Sequence, residues 1–578
     1  MIHKIVFENR NYDTWTIFDV SSLEPIHIPN FNPLNHKLFT NDTFTYVNNT
    51  FTLIHSAVKT TGDIPAVLIL ADNKSYGRKK TKVIYKCIPD DKRIPIFFVP
   101  YEIKHLGFSK VVNNMYVVIQ YDKWIDKHPH GSISHTIGNV NILDNFYEYQ
   151  LYCKSLNASI QKFNKATINA LNNNNNESHE TIISTICRSN PTIQDRTMNK
   201  VFTIDPASSL DYDDAFSIHS LPNNKTKISI YIANVTILLD ALKLWSSFSK
   251  RISTIYLPTK KRPMLPTVLS DCLCSLQANR TRFAFVMDVI VAEDYSIDEI
   301  TYANCVITVH TNFAYEEPKL HDDLEYKQLF ETVTQLSRKY KYLNNVKDSH
   351  DIVCYLMIFM NYHCANNLLK YKNGIFRSTI VNPETIQLPK VLPDNVSKFI
   401  LNWNNTCGQY IDIRTTELTR HDNLELDAYV HITSPIRRLV DLLNIIKFQQ
   451  NHQLIELSND ANIFYDTWIN NIDYINTTTR AIRKIQNDCH LLHECHTNPI
   501  ILSKVYDGFC FDKMSRSDGL YQYNIFLPEL KLASKIVMRN NYDNFAQGKY
   551  KLYLFNNEET FKKKIRLHVV NDDDNSKV

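Results

Sequence analysis

The sequence predicts a multidomain α+β protein, with small β-barrels at both ends and a central region mixing strands with long helices. Three observations carry this. The chain has 578 residues, which at about 100–200 residues per domain is several domains. Short β-rich segments separated by polar turns recur toward both termini. Apolar residues at helical spacing concentrate in the middle. Hydrophobic residues make up 44% and charged residues 21%, ordinary values for a globular chain with more than one core.

Residues 1–58 read as short strands, for example Trp15–Val20 and the stretch Thr43–Leu53. The rhythm continues through 59–140, where Ala66–Ala71, Lys82–Cys87, Pro95–Val99 and Met115–Tyr121 are β-rich. Strands so short and evenly spaced predict barrels or sandwiches, and two consecutive OB-type barrels fit the length. Residues 141–184 form a predicted helical linker, helical from about Asn145 to Leu171, that runs into five consecutive asparagines, Asn172–Asn176. Such a low-complexity run reads as an exposed loop. Within 185–496, Leu329, Val333, Leu336 and Tyr340 fall at helical spacing, as do Leu356, Phe359, Met360 and His363. Residues 497–570 return to short strands and predict a third small barrel, and 571–578 are a polar tail.

Composition excludes several classes. Net charge is only +4, so any nucleic-acid surface must be local rather than a bulk polycation. The N-terminus has no apolar run of signal-peptide length, and no stretch approaches 18 uninterrupted apolar residues, so neither export nor a membrane span is expected. The cysteines are then expected as free thiols in a reducing, intracellular, cytoplasmic setting. The segment CHLLHECH (489–496) places Cys489 and His493 on one helical face, but its spacing matches no familiar zinc finger. Cys272 and Cys274 read as packing residues.

The most informative segment is IDPASSLDYDDAF (204–216), which puts Asp205, Asp211, Asp213 and Asp214 within ten residues. An aspartate run is most often a solvated turn or a helix cap. An EF-hand fails, because counting from Asp211 the sixth position is Phe216 and the twelfth is Pro222. Apolar flanks at Val201–Ile204 and Phe216–Ile218 indicate that the carboxylates leave and re-enter buried structure. Four clustered negative charges call for neutralisation, and two divalent cations would supply it. Hard Mg²⁺ prefers such oxygen ligands, and an ion pair of this kind can clamp an in-line phosphoryl displacement.

Three segments, in order, resemble the ribonuclease II family, which includes the catalytic subunit of the eukaryotic exosome. They are VFTIDPASSLDYDDAFSI (201–218), YLPTKKRPMLPTVLSDCLCSL (256–276) and YVHITSPIRRLVDLLN (429–444). The resemblance implies a hydrolytic, processive 3′→5′ exoribonuclease that degrades single-stranded RNA to nucleoside 5′-monophosphates. It implies an RNB catalytic domain over 185–496, cold-shock-like OB domains over 1–58 and 59–140, and an S1-like OB domain over 497–570. By similarity Asp205, Asp211, Asp213 and Asp214 hold two Mg²⁺ ions, with Mn²⁺ as an alternative. Asp213 and Arg437 are the implied catalytic residues, the arginine fork answering charge on the phosphate. Tyr256, Tyr315 and Arg438 are implied RNA contacts. The basic run Lys562, Lys563, Lys564 and Arg566 offers phosphate contacts, with a solvated strand edge as the competing reading.

The chain departs from the family pattern at Cys354 and Tyr355, where relatives are acid-rich, at Asn234 in place of Asp, and at Tyr231 in place of His. No N-terminal endonuclease domain is expected, nor exosome-like partners, nor a membrane, and the chain is expected to be monomeric. Two other functions compete: a catalytically weak RNA-binding protein on the same scaffold, and a nuclease that also takes single-stranded DNA, which only a 2′-hydroxyl contact would exclude.

Overall fold

The computed structural model describes all residues except 30, 48–49, 61, 104–111, 174–178, 344, 380–387, 390, 405–407, 417 and 571–578. Asn174–Asn176 and the polar tail lie outside the described residues, whereas Asn172 and Asn173 close a helix, Gln161–Asn173.

The first sheet has strands β1 (His3–Phe7), β2 (Trp15–Asp19), β3 (Pro25–Ile26), β4 (Thr43–Val47) and β5 (Thr50–His55), in the order β3-β2-β1-β4-β5. The Thr43–Leu53 stretch is therefore a hairpin, β4 against β5. The second sheet holds β6 (Ile64–Leu68), β7 (Arg78–Lys79), β8 (Lys82–Pro89), β9 (Phe97–Tyr101), β10 (Met115–Lys123) and β11 (His130–Asn139). Its order β6-β10-β11-β9-β8 closes on itself because β8 also pairs with β6, and closure removes the exposed edges that invite aggregation. Trp124 is buried where the two sheets share a core, 4.9 Å from Phe39 and 6.1 Å from Tyr12.

The expected single helical stretch after β11 is two helices, Leu143–Cys153 and Gln161–Asn173. The central strands follow: β12 (Gln194–Asp195), β13 (Val201–Asp205), β14 (Asp214–Ser220), β15 (Thr226–Ala233), β16 (Ile255–Tyr256), β17 (Lys261–Arg262), β18 (Thr281–Val291) and β19 (Ile297–Ala314). The sheet β12-β19-β13-β14-β15-β18 also closes, through β18 against β19. Strands such as Val201–Asp205 and Thr281–Val291 are buried almost throughout rather than alternately, as expected where both faces are covered. One face packs on helices Leu324–Lys339 and Ser349–Lys370, in a core of Phe202, Ile230, Phe285, Leu329, Val333 and Phe359 among others. Both helices start at an aspartate cap: Asp323 accepts from Tyr326 N–H at 3.0 Å and Asp348 from Asp351 N–H at 2.9 Å.

Among the described residues, Ser349–Lys370 is the one helix long and apolar enough to cross a membrane. Ile352, Leu356, Phe359, Met360, Ala365 and Leu368 instead line the core, which explains an apolar helix without a bilayer. Further on lie β20 (Ile375–Ser378) paired with β21 (Gln409–Asp412). The helix Ile472–Thr497 contains the Cys/His segment, of which Cys489 and Cys495 are buried. The C-terminal sheet, β22 (Tyr506–Ser515), β23 (Tyr521–Leu527), β24 (Leu532–Met538), β25 (Gln547–Asn556) and β26 (Lys563–Val569), is antiparallel in the order β24-β23-β22-β25-β26. The multi-barrel α+β class read from the sequence is borne out.

The chain divides into two compact units. One comprises Met1–Asn157, Leu257–Thr259 and Arg483–Val578, and the other Ala158–Tyr256 and Lys260–Ile482. Within the first, the C-terminal sheet is fastened to the second barrel: Tyr116 donates to the Phe561 carbonyl at 2.7 Å, and Lys562 pairs with Asp90 at 2.7 Å.

Candidate active site

The four aspartates of the 205–214 segment sit where β13 ends and β14 begins. Antiparallel pairing of Phe202 with Phe216 brings the two strand ends together, so the intervening loop must turn back within a few residues. The loop is tied down by its backbone. Tyr212 N–H donates to Ser275 Oγ at 3.0 Å, Ser275 Oγ donates to the Leu210 carbonyl at 2.9 Å, and Leu276 N–H donates to the Tyr212 carbonyl at 3.0 Å. The LCSL stretch thus holds the acidic loop. Ala233 N–H donates to the Asp213 carbonyl at 2.8 Å, and Tyr315 N–H to that of Asp205 at 3.0 Å.

The carboxylates are buried, and three of them carry an oxygen with no hydrogen-bond partner: Asp205 Oδ2, Asp213 Oδ2 and Asp214 Oδ2. Burial pushes the Asp213 carboxyl up to about 7, against the pull of Arg437 and the Ile436 N–H and with added repulsion from Asp214 and Asp211. Asp205 and Asp214 are likewise driven up, first by burial; repulsion from Asp213 adds to Asp205, and repulsion from Asp205 adds to Asp214. Both oxygens of Asp211 are engaged. Lys261 Nζ lies 3.1 Å from Oδ1, and Tyr256 OH donates to Oδ2 at 3.0 Å. Tyr256 and Lys261 are cross-strand partners in the β16–β17 hairpin, so one register places both on Asp211.

The TSPIRR segment supplies the cation. Ile436 N–H donates to Asp213 Oδ1 at 2.9 Å, and Arg437 Nε stands 3.0 Å from Asp213 Oδ2, in ion-pair range but off the axis of a hydrogen bond. The Arg437 side chain is 45% exposed and its Nη2 donates to Ser434 Oγ at 3.2 Å, so part of the fork stays accessible to a ligand. Its backbone is pinned: Thr254 N–H and Ser253 Oγ both donate to the Arg437 carbonyl, at 3.0 and 2.9 Å. Asp441 sets the loop by accepting from Ser434 N–H at 2.8 Å and from Arg438 Nη2 at 2.7 Å. The Arg438 guanidinium is therefore directed onto Asp441. Asn361 adds a second brace, accepting from Ile432 N–H at 3.0 Å and donating to Tyr429 OH at 3.0 Å.

The structure brings Asp205, Asp211, Asp213, Asp214, Tyr256 and Arg437 together. Tyr315 is close enough for Asp214 and Asp205 to add to the burial that raises its hydroxyl, and its ring stacks on His350 with centroids 3.5 Å apart. Sequence reasoning missed Lys261, although it lies inside the quoted YLPTKKRPMLP segment, where a cation interrupting an apolar motif was the available signal. The departures from the family pattern have local explanations. Tyr231 is buried with its hydroxyl 3.0 Å from Ser217 Oγ. Asn234 belongs to a buried amide network, donating to Asn304 Oδ1 at 2.9 Å and accepting from Gln449 Nε2 at 3.2 Å. Tyr355 donates to the Tyr340 carbonyl at 3.0 Å, and Cys354 is exposed.

The basic run of the other unit is not one surface. Lys562 is held by Asp90, and Lys563 points to the opposite side of β26 from Lys564 and Arg566. Lys564 and Arg566 share an exposed face, the latter over the Phe555 ring at 4.2 Å. Burial and then repulsion from Lys562, Arg566, Lys154 and Lys484 lower the Lys564 ammonium. Lys154 and Lys484 thus lie near Lys564, with Asp488 among the three, a grouping that the sequence run alone did not include.

Among the described residues no three His, Cys, Asp or Glu side chains form a ready-made coordination shell. The fit to a divalent cation rests on the donor set: hard carboxylate oxygens, three of them buried without a hydrogen bond.

Residues 193–353 match the RNB domain family. Over 125 residues the chain is 38% identical to Exoribonuclease 2 of Salmonella typhimurium, a match covering 21% of this chain and 19% of that protein. The chain thus matches less than a fifth of that relative's length. Mycoplasma genitalium RNase R, solved in complex with ribose methylated single-stranded RNA, superposes with TM-score 0.62 at 15% identity, covering 99% of this chain and 97% of the other. Yeast Ssd1, described as a pseudonuclease, superposes with TM-score 0.57 at 12% identity, covering 95% and 80%. The resemblance drawn from the three sequence segments is borne out: residues 193–353 match the RNB domain family, and the chain is similar to Exoribonuclease 2 in sequence and to RNase R in fold.

Proposed function

We propose that this RNB-domain chain is a 3′→5′ exoribonuclease that hydrolyses single-stranded RNA to nucleoside 5′-monophosphates with Mg²⁺. The observation that carries the reading is the set of buried carboxylates Asp205, Asp213 and Asp214, each with an oxygen that accepts no hydrogen bond, gathered beside the Arg437 guanidinium that pairs with Asp213. Stability alone does not account for such an excess of buried negative charge, because burying carboxylates that outnumber their cations costs free energy. Mg²⁺ bound by Asp205, Asp213 and Asp214, with Asp211 alongside, would supply a Lewis acid for the phosphate oxygens and activate water.

The chain's own residues do the rest. Arg437, anchored through its carbonyl and paired with Asp213, presents guanidinium donors to the charge that builds on the phosphate during attack. Water bonds to phosphorus as the bond to the upstream 3′-oxygen breaks. That oxygen takes up a proton, and the phosphate leaves on the 5′-oxygen of the released nucleotide. Tyr256 and Tyr315 offer rings beside the reacting end, where stacking tolerates any base. In the other unit, Lys564 and Arg566, with Lys154 and Lys484 beside them, present positive charge suited to an RNA backbone.

The test is a 5′-labelled single-stranded RNA incubated with Mg²⁺ and the purified chain, beside Asp213→Asn and an EDTA control. A ladder shortening from the 3′ end, lost in the variant and in EDTA, supports the assignment. RNA that is bound but left intact would replace it with an RNA-binding function. A matched DNA oligonucleotide reports selectivity for the 2′-hydroxyl.

A further inference from the structure

Asp211 stands apart from the other three acids because the chain already neutralises it. Lys261 Nζ sits 3.1 Å from Asp211 Oδ1 and 3.0 Å from Asp271 Oδ1, bridging two carboxylates. Asp271 is itself anchored, accepting from Ser270 Oγ at 2.7 Å, while its carbonyl accepts from Gln277 Nε2 at 2.6 Å. Lys261 therefore has a second partner in place if it leaves the first. Its side chain is 23% exposed, so the flexible stem has room to withdraw. A compact ammonium on such a stem can move between acceptors more readily than a guanidinium fork.

We propose that Lys261 is a built-in counter-ion for Asp211, displaced onto Asp271 when a divalent cation claims that carboxylate. This rests on the metal-dependent reading above and deepens it. Asp205, Asp213 and Asp214, each with an oxygen that accepts no hydrogen bond, take the first cation. The lysine holds the place of a second cation until ion concentration, or an incoming phosphate that brings its own negative charge, shifts the balance. Lys261 acts through Asp211 and is a positioning residue. Tyr256, its cross-strand partner, keeps the other Asp211 oxygen in place during the exchange.

The test is calorimetric titration of Mg²⁺ alone, without RNA, into the full chain and its Lys261→Gln, Lys261→Arg and Asp271→Asn variants, with thermal melts in EDTA to verify folding. Lys261→Gln is expected to bind an additional ion or to lower the apparent Kd about tenfold, the scale of removing one close competing charge. Lys261→Arg should stay near wild type. Asp271→Asn, which leaves Lys261 with Asp211 alone, should weaken binding several-fold, and it carries the test if Lys261→Gln does not fold. Wild-type binding with unchanged or weaker uptake in Lys261→Gln, or unchanged uptake in Asp271→Asn, overturns the counter-ion role alone. A wild type that takes up no Mg²⁺ overturns the metal-dependent reading and this inference with it.

Discussion

Two sets of buried aspartates belong to the same closed sheet and live in opposite surroundings. Asp288, on β18, receives a bidentate pair from Arg196 at 2.9 and 2.7 Å, a hydrogen bond from Ser229 Oγ at 2.6 Å, and Lys227 at 3.0 Å. Burial works against its charge, but these partners win and hold its carboxyl below the ordinary value. At the mouth of β13 and β14, Asp213 and Asp214 are as deeply placed and Asp205 is partly buried, yet Arg437, joined by Arg438 at Asp214, does not offset burial, and all three are driven up. Burial is common to both sets; satisfaction is not. A buried carboxylate with every lone pair answered is a structural joint, whereas one left wanting a cation marks a place prepared for a ligand.

Substitutions should separate the two sets. The largest effect is expected for Asp213→Asn. Exonuclease turnover should fall by about 10³-fold or more, while the metal-free protein becomes more stable at pH 8, because the amide replaces a charge that burial disfavours. A variant that keeps wild-type turnover on the labelled-RNA assay would sink the functional side of the contrast. Arg437→Lys comes next, with a loss of about 10²-fold in kcat/KM and little change in melting temperature, since a point charge cannot reproduce the guanidinium fork.

Asp288→Asn should do the reverse of Asp213→Asn. Stability falls by about 3 kcal/mol, the scale for breaking a buried pair, and activity per folded molecule is retained. Denaturant titration with an active-site count distinguishes the two. If Asp288→Asn were neutral, the joint reading of that carboxylate would be wrong.

Titration sharpens the comparison with a smaller effect. The unfolded carboxyl titrates near pH ~4. Asp213, raised to about 7, keeps its proton in the folded chain while the unfolded chain loses it. Metal-free stability should therefore decline between about pH 4 and 7 and then level off. Asp288, lowered, contributes stability that is present above its unfolded value and is lost only as pH falls through its folded value. The melting difference between wild type and Asp213→Asn should thus grow from pH 5 to 8 and shrink on adding Mg²⁺. The difference for Asp288→Asn should be flat across that range.

Much of this was legible in the sequence. The β-rich rhythm of both ends, the helices containing Leu329 and Leu356, and the acidic loop between buried strand ends all follow from patterns within a few residues. Periodicity of two or of 3.6 is a local property of the chain. The identity of the acids and of Arg437 was likewise visible, because residue type and spacing carry the chemistry. Less visible was the split of Thr43–Leu53 into a hairpin and of the 145–171 stretch into two helices, where short connections interrupt a continuous propensity.

By itself, then, the sequence determined the kind of chemistry available, carboxylates set at the edge of a core with an arginine to meet them, and the order of barrels and helices along the chain. Only the tertiary structure decided which charges are available. It paired Asp213 with a backbone 223 residues away, Asp211 with a lysine 50 residues away, and Lys562 with an aspartate 472 residues away. Whether a charge is answered or left open depends on neighbours brought together by packing, and no local pattern records them.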